Sequence, residues 1–298
     1  MNKSATFRTC STMLLLMAFG SFLSGCAQEP QPQNPQLQVL SKLPSKLNEN
    51  SGLAYFKGEQ VWVIEDNGNR DEIYAVNFSG ELVKSFRVKN AINKDWEDLA
   101  QGPNGELYIG DFGNNDNARK DLAIYLLPSP ETEKGDKIEA EKIAFSFPEQ
   151  KDFPPKAKKR LYDTEAFLYH QGFFYLFTKN RTKPFSGESL IYRIPAKAGK
   201  YEAEYLGSFV TCTTERYCKI TSAALSPSGK LLVLMGYGKM WLIENPDFSA
   251  LPQSNLKMVD LLWPTQMESV CFEDENTLLI SDEQSQSRGR FLYRYTLK

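Results

Sequence analysis

Glu97-Asp98-Leu99-Ala100, followed 14 residues after Glu97 by Asp111, is one of five copies of a single pattern in this chain. In each copy a small or acidic residue opens a short apolar run, a turn follows, and a second apolar run ends, in most copies, on Asp. The other copies run from Ser51 to Asp66, from Glu165 to Lys179, from Ser222 to Gly236 and from Glu268 to Asp282. The copies begin 46 to 68 residues apart. Repeats of this period built from short strands indicate a β-propeller, in which each repeat is one blade.

The strands within each copy are rich in β-branched and aromatic residues, as in Val61-Trp62-Val63-Ile64. The last copy ends at Lys298 directly after its third strand, and residues 37–43 can supply the missing fourth strand. We therefore predict an all-β propeller of five blades, closed by an N-terminal strand that hides both chain-end edges. A sixth, degenerate blade in residues 128–160 is the alternative, but the Pro, Lys and Glu content of that stretch favours a long loop.

The first residues read as an export signal rather than as part of the fold. Lys3 and Arg8 precede an apolar core at residues 13–22, and Leu23-Ser24-Gly25-Cys26 follows. That quartet resembles the lipobox of bacterial lipoproteins, which implies cleavage before Cys26 and a lipid on its thiol; an ordinary secretory peptide is the alternative. Because Ala27 follows the Cys where an Asp would favour inner-membrane retention, the resemblance implies an outer-membrane anchor.

Three segments follow from this interpretation: a signal peptide at 1–25, a lipid-anchored polar tether at 26–36 and the propeller at 37–298. No later apolar run approaches 18 residues, so the anchor is the only membrane contact we expect. A net charge of −2 gives no electrostatic reason to expect nucleic acid as a partner. The basic run from Lys156 to Arg160 is interpreted as a solvated loop.

Cysteine use fits an exported protein. Cys212 and Cys218 flank a short polar loop, and we predict a disulfide between them, since two thiols alone are too few ligands for a metal. Cys271 lies within an apolar strand, which favours a buried, inert thiol.

The repeat spacing also predicts a site. A residue at the start of an inner strand and the residue 14 positions later lie at the same end of one hairpin, so the five pairs are expected at one mouth of the central channel. The residues so placed are Ser51, Asp66, Glu97, Asp111, Glu165, Lys179, Ser222, Glu268 and Asp282. Six carboxylates with one lysine favour a bound cation or partial protonation. Oxygen ligands of this kind suit Ca²⁺, whereas the alternative is a mouth that merely solvates the channel.

Several motifs carry a family resemblance over nearly all of the expected mature chain. They are Trp96-Glu97-Asp98-Leu99-Ala100, residues 110–115 (Gly-Asp-Phe-Gly-Asn-Asn), residues 163–167 (Asp-Thr-Glu-Ala-Phe) and residues 267–270 (Met-Glu-Ser-Val). They resemble a group of bacterial propeller proteins similar in architecture to the gluconolactonase-like, NHL-type and phytase-esterase-like propellers. In the lactonase-like relatives, acidic and Asn residues at the channel mouth hold a divalent metal. The resemblance extends that role to Glu97, Asp111, Glu165, Glu268 and Asp282, although Ser51 and Ser222 depart from it.

Two functions remain open from sequence. The first is an envelope lipoprotein whose propeller binds a small molecule or an envelope protein through the acidic mouth. The second is a metal-dependent, Ca²⁺-type hydrolase of lactones or esters. The only histidine, His170, falls at a hairpin turn at the opposite end from the carboxylates, which excludes a Ser-His-Asp triad. Whether the protein is an enzyme is left open.

Overall fold

The structure is a computed structural model that describes Met1 and residues 31–298. Residues 32–298 form one compact unit, which contains every strand of the fold. The predicted signal peptide, Cys26 and most of the predicted tether lie outside the described residues. Within those residues, no helix has the length and apolar character needed to cross a membrane.

Five antiparallel blades build the propeller, as the repeat predicted. Blade 1 contains β2 (Asn50–Ala54), β3 (Gln60–Glu65), β4 (Glu72–Asn77) and β5 (Leu82–Lys89). Blade 2 contains β6 (Trp96–Gln101), β7 (Leu107–Asp111), β8 (Ala123–Leu127) and β10 (Glu141–Ser146). Blade 3 contains β11 (Asp163–His170), β12 (Phe173–Lys179), β13 (Glu188–Pro195) and β15 (Glu204–Val210).

Blade 4 contains β16 (Ser222–Leu225), β17 (Leu231–Gly236), β18 (Lys239–Glu244) and β19 (Lys257–Asp260). Blade 5 contains β20 (Met267–Asp274), β21 (Thr277–Asp282) and β22 (Phe291–Thr296), and its fourth strand is β1 (Leu37–Lys42). β1 pairs antiparallel with β22, with Leu37 opposite Tyr295. The predicted closure of the ring by the N-terminal strand is therefore confirmed.

Residues 128–160 hold no sixth blade. They contribute β10 to blade 2 and β9 (Lys137–Glu139), which pairs parallel with the outer edge of β5 in blade 1. β14 (Gly199–Glu202) covers the outer edge of β10 in the same way. Two short 3₁₀ helices, Ala157–Lys159 and Leu251–Gln253, complete the described elements.

The core lies between neighbouring blades. Trp62 of blade 1 is fully buried, stacks on Phe86 at 5.7 Å between ring centroids, and shares a cluster with Leu99 and Ile109 of blade 2. Trp241 of blade 4 packs in the same way against blade 3, in a cluster with Phe177. Because each blade buries its faces only against its neighbours, the ring must be complete for these residues to leave water.

The innermost strands β2, β6, β11, β16 and β20 surround the central channel, each beside the next. Four of these strands carry a bulge at the same point of the repeat, where Ser51, Glu97, Glu165 or Glu268 is the extra residue. A bulge leaves its extra residue unpaired and re-aims the side chain. This local irregularity is what positions the site.

Candidate functional site at the channel mouth

The bulge residues bring a cluster of charged side chains to one end of the channel. We call this set the mouth cluster; it contains Asp66, Asp95, Glu97, Asp163, Glu165, Glu268 and Glu283 with the cations Lys179 and Arg181. Most of these side chains are buried, and Glu165 and Lys179 are 2% and 4% exposed. Seven carboxyl groups against two cations leave a large excess of potential negative charge in a poorly hydrated place.

Lys179 provides the central cation of the cluster. Its ammonium lies 2.8 Å from Glu165 Oε2 and 3.7 Å from Glu268 Oε2, so it spans the mouth from blade 3 to blade 5. Blade 4 has Ser222 at the repeat position where blades 2, 3 and 5 have Glu. The Tyr237 ring of blade 4 lies 5.4 Å from the Lys179 ammonium. The Tyr237 hydroxyl donates a hydrogen bond to Glu268 Oε1 at 2.6 Å. Burial lowers the pKa of Lys179, but these carboxylates outweigh it and hold that pKa well above its usual value.

Arg181 neutralises the blade 3 side of the mouth. Its guanidinium donates to Asp163 Oδ2 at 2.5 Å and to Glu165 Oε1 at 2.9 Å. Burial acts to raise the pKa of Glu165, yet Lys179 and Arg181 prevail and hold that pKa below its usual value. Glu165 is therefore the ionised centre of the cluster.

Glu97 is the partner of Glu165 across the blade 2–blade 3 boundary. Burial and the nearby Glu165 and Asp95 carboxylates raise the pKa of Glu97 well above its usual value. Glu97 is therefore the protonated member of this pair, beside the ionised Glu165. A Cβ atom on Gly113 would collide with Glu97 and Asp95, so the absence of a side chain at Gly113 makes room for both acids.

The remaining carboxyl groups of the mouth form no ion pair among residues 31–298. Burial, followed by repulsion from Glu49 and Asp95, raises the pKa of Asp66 to about 8. Burial and repulsion from Glu268 and Asp66 raise the pKa of Glu283 to about 9. Burial and Glu165 raise that of Asp95 to about 6, so Asp95 is mostly ionised at neutral pH. At neutral pH Asp66 and Glu283 hold protons that an incoming cation would displace.

Asp111 and Asp282, predicted to share the mouth, bond mainly within their own blades. Asp111 accepts a hydrogen bond from Arg119 at 3.0 Å and one from the Asp95 amide of the mouth cluster at 3.1 Å, and Asp282 accepts one from the Tyr293 hydroxyl at 2.7 Å. Asp111 is opposite Trp96 and Asp282 is opposite Met267, each one residue before the bulge. Paired residues share a face of the sheet, so both Asp side chains lie on the face of Trp96 and Met267, whereas the bulge residues turn to the channel.

The other predicted residues take several positions, and Cys26 lies outside the described residues. Ser51 is buried in blade 1 and donates to the Glu49 carbonyl at 3.4 Å, while Asp66 and Lys179 belong to the mouth cluster. The predicted disulfide between Cys212 and Cys218 is present. Cys271 is buried, as expected, and burial raises the pKa of its thiol well above the usual range.

Asp98 closes the channel below the mouth, and sequence reasoning missed it. Its fully buried carboxylate accepts hydrogen bonds from the Phe167 amide in blade 3 at 3.2 Å and from the Ser222 hydroxyl in blade 4 at 3.0 Å. Ser222 Oγ in turn accepts from the Val270 amide of blade 5 at 3.1 Å. We call Asp98 and Ser222, joined by these hydrogen bonds, the plug. Beneath the plug lies a cavity of about 80 Å³ lined by apolar side chains such as Leu53 and Val270. The acidic mouth is therefore closed at its inner end.

Other missed members of the cluster had a sequence signal. Asp95, Asp163 and Arg181 stand two residues from Glu97, Glu165 and Lys179, respectively. Asp163 lies in the same strand as Glu165, whereas Asp95 and Arg181 lie just outside β6 and β12. Their closeness in sequence to the predicted residues is the signal that could have extended the mouth to them.

The described residues do not form a ready metal site. Within residues 31–298, no group of three or more His, Cys, Asp or Glu side chains is arranged to hold a metal ion. The Lys179 ammonium lies between Glu165 and Glu268, the two predicted ligands that approach each other across blade 4. The donor set therefore does not fit the Ca²⁺ site suggested by the family resemblance.

Comparisons with known proteins establish the fold. No family model and no curated protein matches the chain. The PQQ-bound form of an aldose sugar dehydrogenase from Streptomyces coelicolor has a similar structure, with a TM-score of 0.51 at 10% identity over 88% of this chain and 99% of that one. A gluconolactonase from Xanthomonas campestris has a TM-score of 0.47 at 12% identity, over 88% of this chain and 89% of that one. The calcium-binding protein regucalcin from Agrobacterium tumefaciens has a TM-score of 0.46 at 13% identity, over 87% and 92%.

At these identities the likeness concerns architecture alone. The match to the aldose sugar dehydrogenase supports the propeller architecture at the level of fold. Because one fold hosts many functions, the function has to be argued from the mouth cluster itself.

Proposed function

We propose that the protein is a binding module of the bacterial envelope whose acidic mouth takes up a positively charged group of a small molecule or a partner protein. One observation carries the proposal. Asp66, Asp95, Glu97 and Glu283 converge on the mouth, and within residues 31–298 none of them has an ion-pair partner, whereas Asp163, Glu165 and Glu268 lie beside Lys179 or Arg181.

An organic cation suits this arrangement better than a metal ion. Lys179 already demonstrates the mode of binding, since its ammonium is held by two carboxylates and lies over the Tyr237 ring. A second ammonium or guanidinium group can donate charge-assisted hydrogen bonds of the same kind to Asp66, Glu97 and Glu283, without the tight coordination shell that Ca²⁺ requires. The envelope location rests on the signal-like start of the chain and the disulfide-bonded loop.

A hydrolase of lactones or esters is the second candidate, and the Glu97–Glu165 pair is the observation that favours it. A protonated carboxyl beside an ionised one can serve as general acid and general base. His170 does not contribute, because its ring stacks on Phe248 at 3.9 Å, at the hairpin end of blade 3.

Thermal unfolding in the presence of cations tests the proposal. We expect spermidine and arginine amide to raise the melting temperature, since both bind the native state alone. The double variant Glu97→Gln with Asp66→Asn should lose most of that rise. The control, Asp116→Asn with Asp136→Asn, makes the same kind of carboxyl-to-amide exchange at exposed positions and should keep that rise.

The outcomes separate the candidates. Absence of any response to either organic cation, at pH values on both sides of neutrality, would overturn the binding module. A response to CaCl₂ larger than that to spermidine would favour a metal site instead. Ester or lactone turnover that disappears in Glu97→Gln would favour the hydrolase.

A further inference from the structure

A second charged surface lies beside the mouth and is not used by the proposed function. Residues 151–160 include five basic side chains and one acidic side chain, that of Asp152. From sequence this run is interpreted as a solvated loop. The structure gives it a defined backbone and adds a further lysine.

The backbone of this segment is fixed to blade 3. Ala157–Lys159 forms a 3₁₀ turn in which the Lys159 amide donates to the Lys156 carbonyl at 2.8 Å. The Lys183 amide donates to the Ala157 carbonyl at 3.1 Å, and the Arg181 amide donates to the Arg160 carbonyl at 3.1 Å. These bonds bring together a surface that we call the basic rim, made of Lys156, Lys158, Lys159, Arg160 and Lys183.

The charges of the basic rim are not neutralised by the protein. Lys156, Lys158, Lys159 and Lys183 are exposed, and within residues 31–298 no member of the rim forms an ion pair. Arg160 Nε is buried without a hydrogen-bond partner. Some lysines elsewhere are matched, as Lys239 is by Asp260 at 2.7 Å and Lys219 by Glu215 at 2.9 Å. The rim differs from other unmatched lysines because several of its cations lie on one turn. A concentration of unmatched cations on a rigid turn is suited to an external anion.

The composition of the rim indicates which anion. Protein–protein interfaces are depleted in Lys and rely on aromatic and apolar anchors, and none of the exposed large apolar residues of the described chain lies in residues 151–160 or 181–187. Single-stranded nucleic acid is bound through aromatic stacking, which the same observation argues against. Clustered lysines acting as separate point charges are the typical means of holding anionic lipid headgroups.

We propose that the basic rim adsorbs the propeller to an anionic lipid bilayer. The expected lipid anchor at Cys26 is compatible with this, since a tether of residues 26–36 spans at most about 40 Å and keeps the domain within reach of the bilayer. Arg181 belongs to the mouth cluster and lies two residues before Lys183 of the rim. Adsorption through the rim therefore holds the mouth beside the membrane surface. The inference is independent of what the mouth binds.

The test uses residues 32–298, the compact unit that contains all five blades and lacks the expected signal and anchor. Co-sedimentation is measured with vesicles of phosphatidylcholine alone and of an equimolar mixture with phosphatidylglycerol, at low and at physiological ionic strength. We expect binding to the mixed vesicles only, and weaker binding at the higher ionic strength.

Two variants with the same change in net charge locate the contact. The rim variant is Lys156→Gln with Lys158→Gln and Lys159→Gln; the control variant is Lys134→Gln with Lys137→Gln and Lys197→Gln, all exposed. Since each lysine near an anionic surface contributes about fivefold in affinity, the rim variant should bind at least about tenfold more weakly and the control within about twofold of the parent. Circular dichroism and melting temperature confirm that both variants are folded.

Three results would overturn the proposal. Equal binding to both kinds of vesicle would remove the electrostatic basis. Equal loss in the rim and control variants would show that net charge, not the rim, is responsible. Rim-dependent binding of a single-stranded oligonucleotide without binding to the mixed vesicles would assign the surface to nucleic acid.

Discussion

The Ser222 hydroxyl of blade 4 donates a 3.0 Å hydrogen bond to Asp98 Oδ1 of blade 2, across the centre of the ring. The blades that contribute these residues are not neighbours, since blade 3 lies between them. Asp98 also accepts from the Phe167 amide of blade 3, so one carboxylate joins three blades. Burial raises the pKa of Asp98 well above its usual value. The plug is therefore a buried polar network with structural consequences.

Removing the Asp98 carboxylate should destabilise the ring. Asp98→Ala leaves the Phe167 and Ala223 amides and the Ser222 hydroxyl without their acceptor. We expect a loss of about 3 kcal/mol in the free energy of unfolding, measured by urea denaturation. The exposed control Asp116→Asn should change it by less than about 0.5 kcal/mol. A change of under about 1 kcal/mol in Asp98→Ala would contradict the role of the plug.

Lys179 should be required for stability only while Glu165 and Glu268 are charged. Lys179→Met leaves Glu165 and Glu268 buried beside each other's charge, and we expect a loss of about 3–5 kcal/mol. Adding Glu268→Gln to that variant should restore part of the stability, and the double-mutant cycle measures the coupling. Strictly additive losses in the cycle would show that the two side chains do not interact as described.

Stability should fall as the pH rises through neutrality. Burial and repulsion from Glu49 raise the folded-state pKa of Asp66 from its usual 3.8 to about 8. A raised carboxyl pKa contributes stability that is complete below the unfolded-state pKa and is lost as the pH passes the folded-state value. Between about pH 5 and about pH 9 we expect a loss of about 2 kcal/mol from this group after solvent screening.

Asp66→Asn provides the check on this pH dependence. The variant should show a shallower decrease of melting temperature over the same range, while Asp116→Asn should retain the parent slope. A parent protein whose melting temperature rises from pH 5 to pH 9 would contradict the protonation of the mouth.

The Cys212–Cys218 disulfide should stabilise the loop between blades 3 and 4. It closes a short loop with a sequence separation of 6, for which the chain-entropy model gives about 2 kcal/mol. Replacing both residues with Ser should lower the free energy of unfolding by that amount. A parent protein that unfolds identically with and without reductant would show that the bond contributes nothing to stability.

Cys26 should carry lipid in the protein isolated from cells, because Leu23-Ser24-Gly25-Cys26 follows an apolar core. Mass spectrometry of the membrane fraction should find Cys26 as the modified N-terminus. Cys26→Ser should accumulate unprocessed. Processing of that variant at the same bond, with retention on the membrane, would disprove the lipoprotein interpretation.

Much of the fold could be predicted because each copy of the sequence repeat forms one blade. Apolar runs separated by turns such as Asn104-Gly105 mark hairpins, and Gly105 has the positive φ of 86° that such a turn requires. The closure followed from counting strands, since the last copy ends one strand short. These features depend on local chemistry and on the need to hide edges, both of which are visible in sequence.

The site was only partly predictable, and the cause is the bulge. Glu97, Glu165 and Glu268 were expected at the mouth and are there. Asp111 and Asp282 were grouped with them on spacing alone, but a one-residue bulge separates the side of the strand that faces the channel from the side that follows the blade. Bulge positions depend on the assembled ring, so periodicity cannot reveal them.

The role of Asp98 could not be predicted from the sequence for a related reason. It stands next to Glu97 in an ordinary apolar strand, and its neighbours in sequence do not include its partners. Phe167 and Ser222 lie 69 and 124 residues away. Only the closed ring brings these donors to one carboxylate.

The pairing of β1 with β22 in blade 5 constrains the order in which the blades can be completed. Blades 1 to 4 draw their four main strands from consecutive stretches of chain, whereas blade 5 pairs Leu37 with Tyr295. Pairing residues so far apart in sequence costs loop-closure entropy before the contact can stabilise the fold. High contact order is therefore concentrated in the pairing of β1 with β22. During synthesis β1 therefore has no strand partner until β22 has been made. A chain truncated before Phe291 would lose β22 and leave β1 and β21 with unpaired edges exposed to other chains.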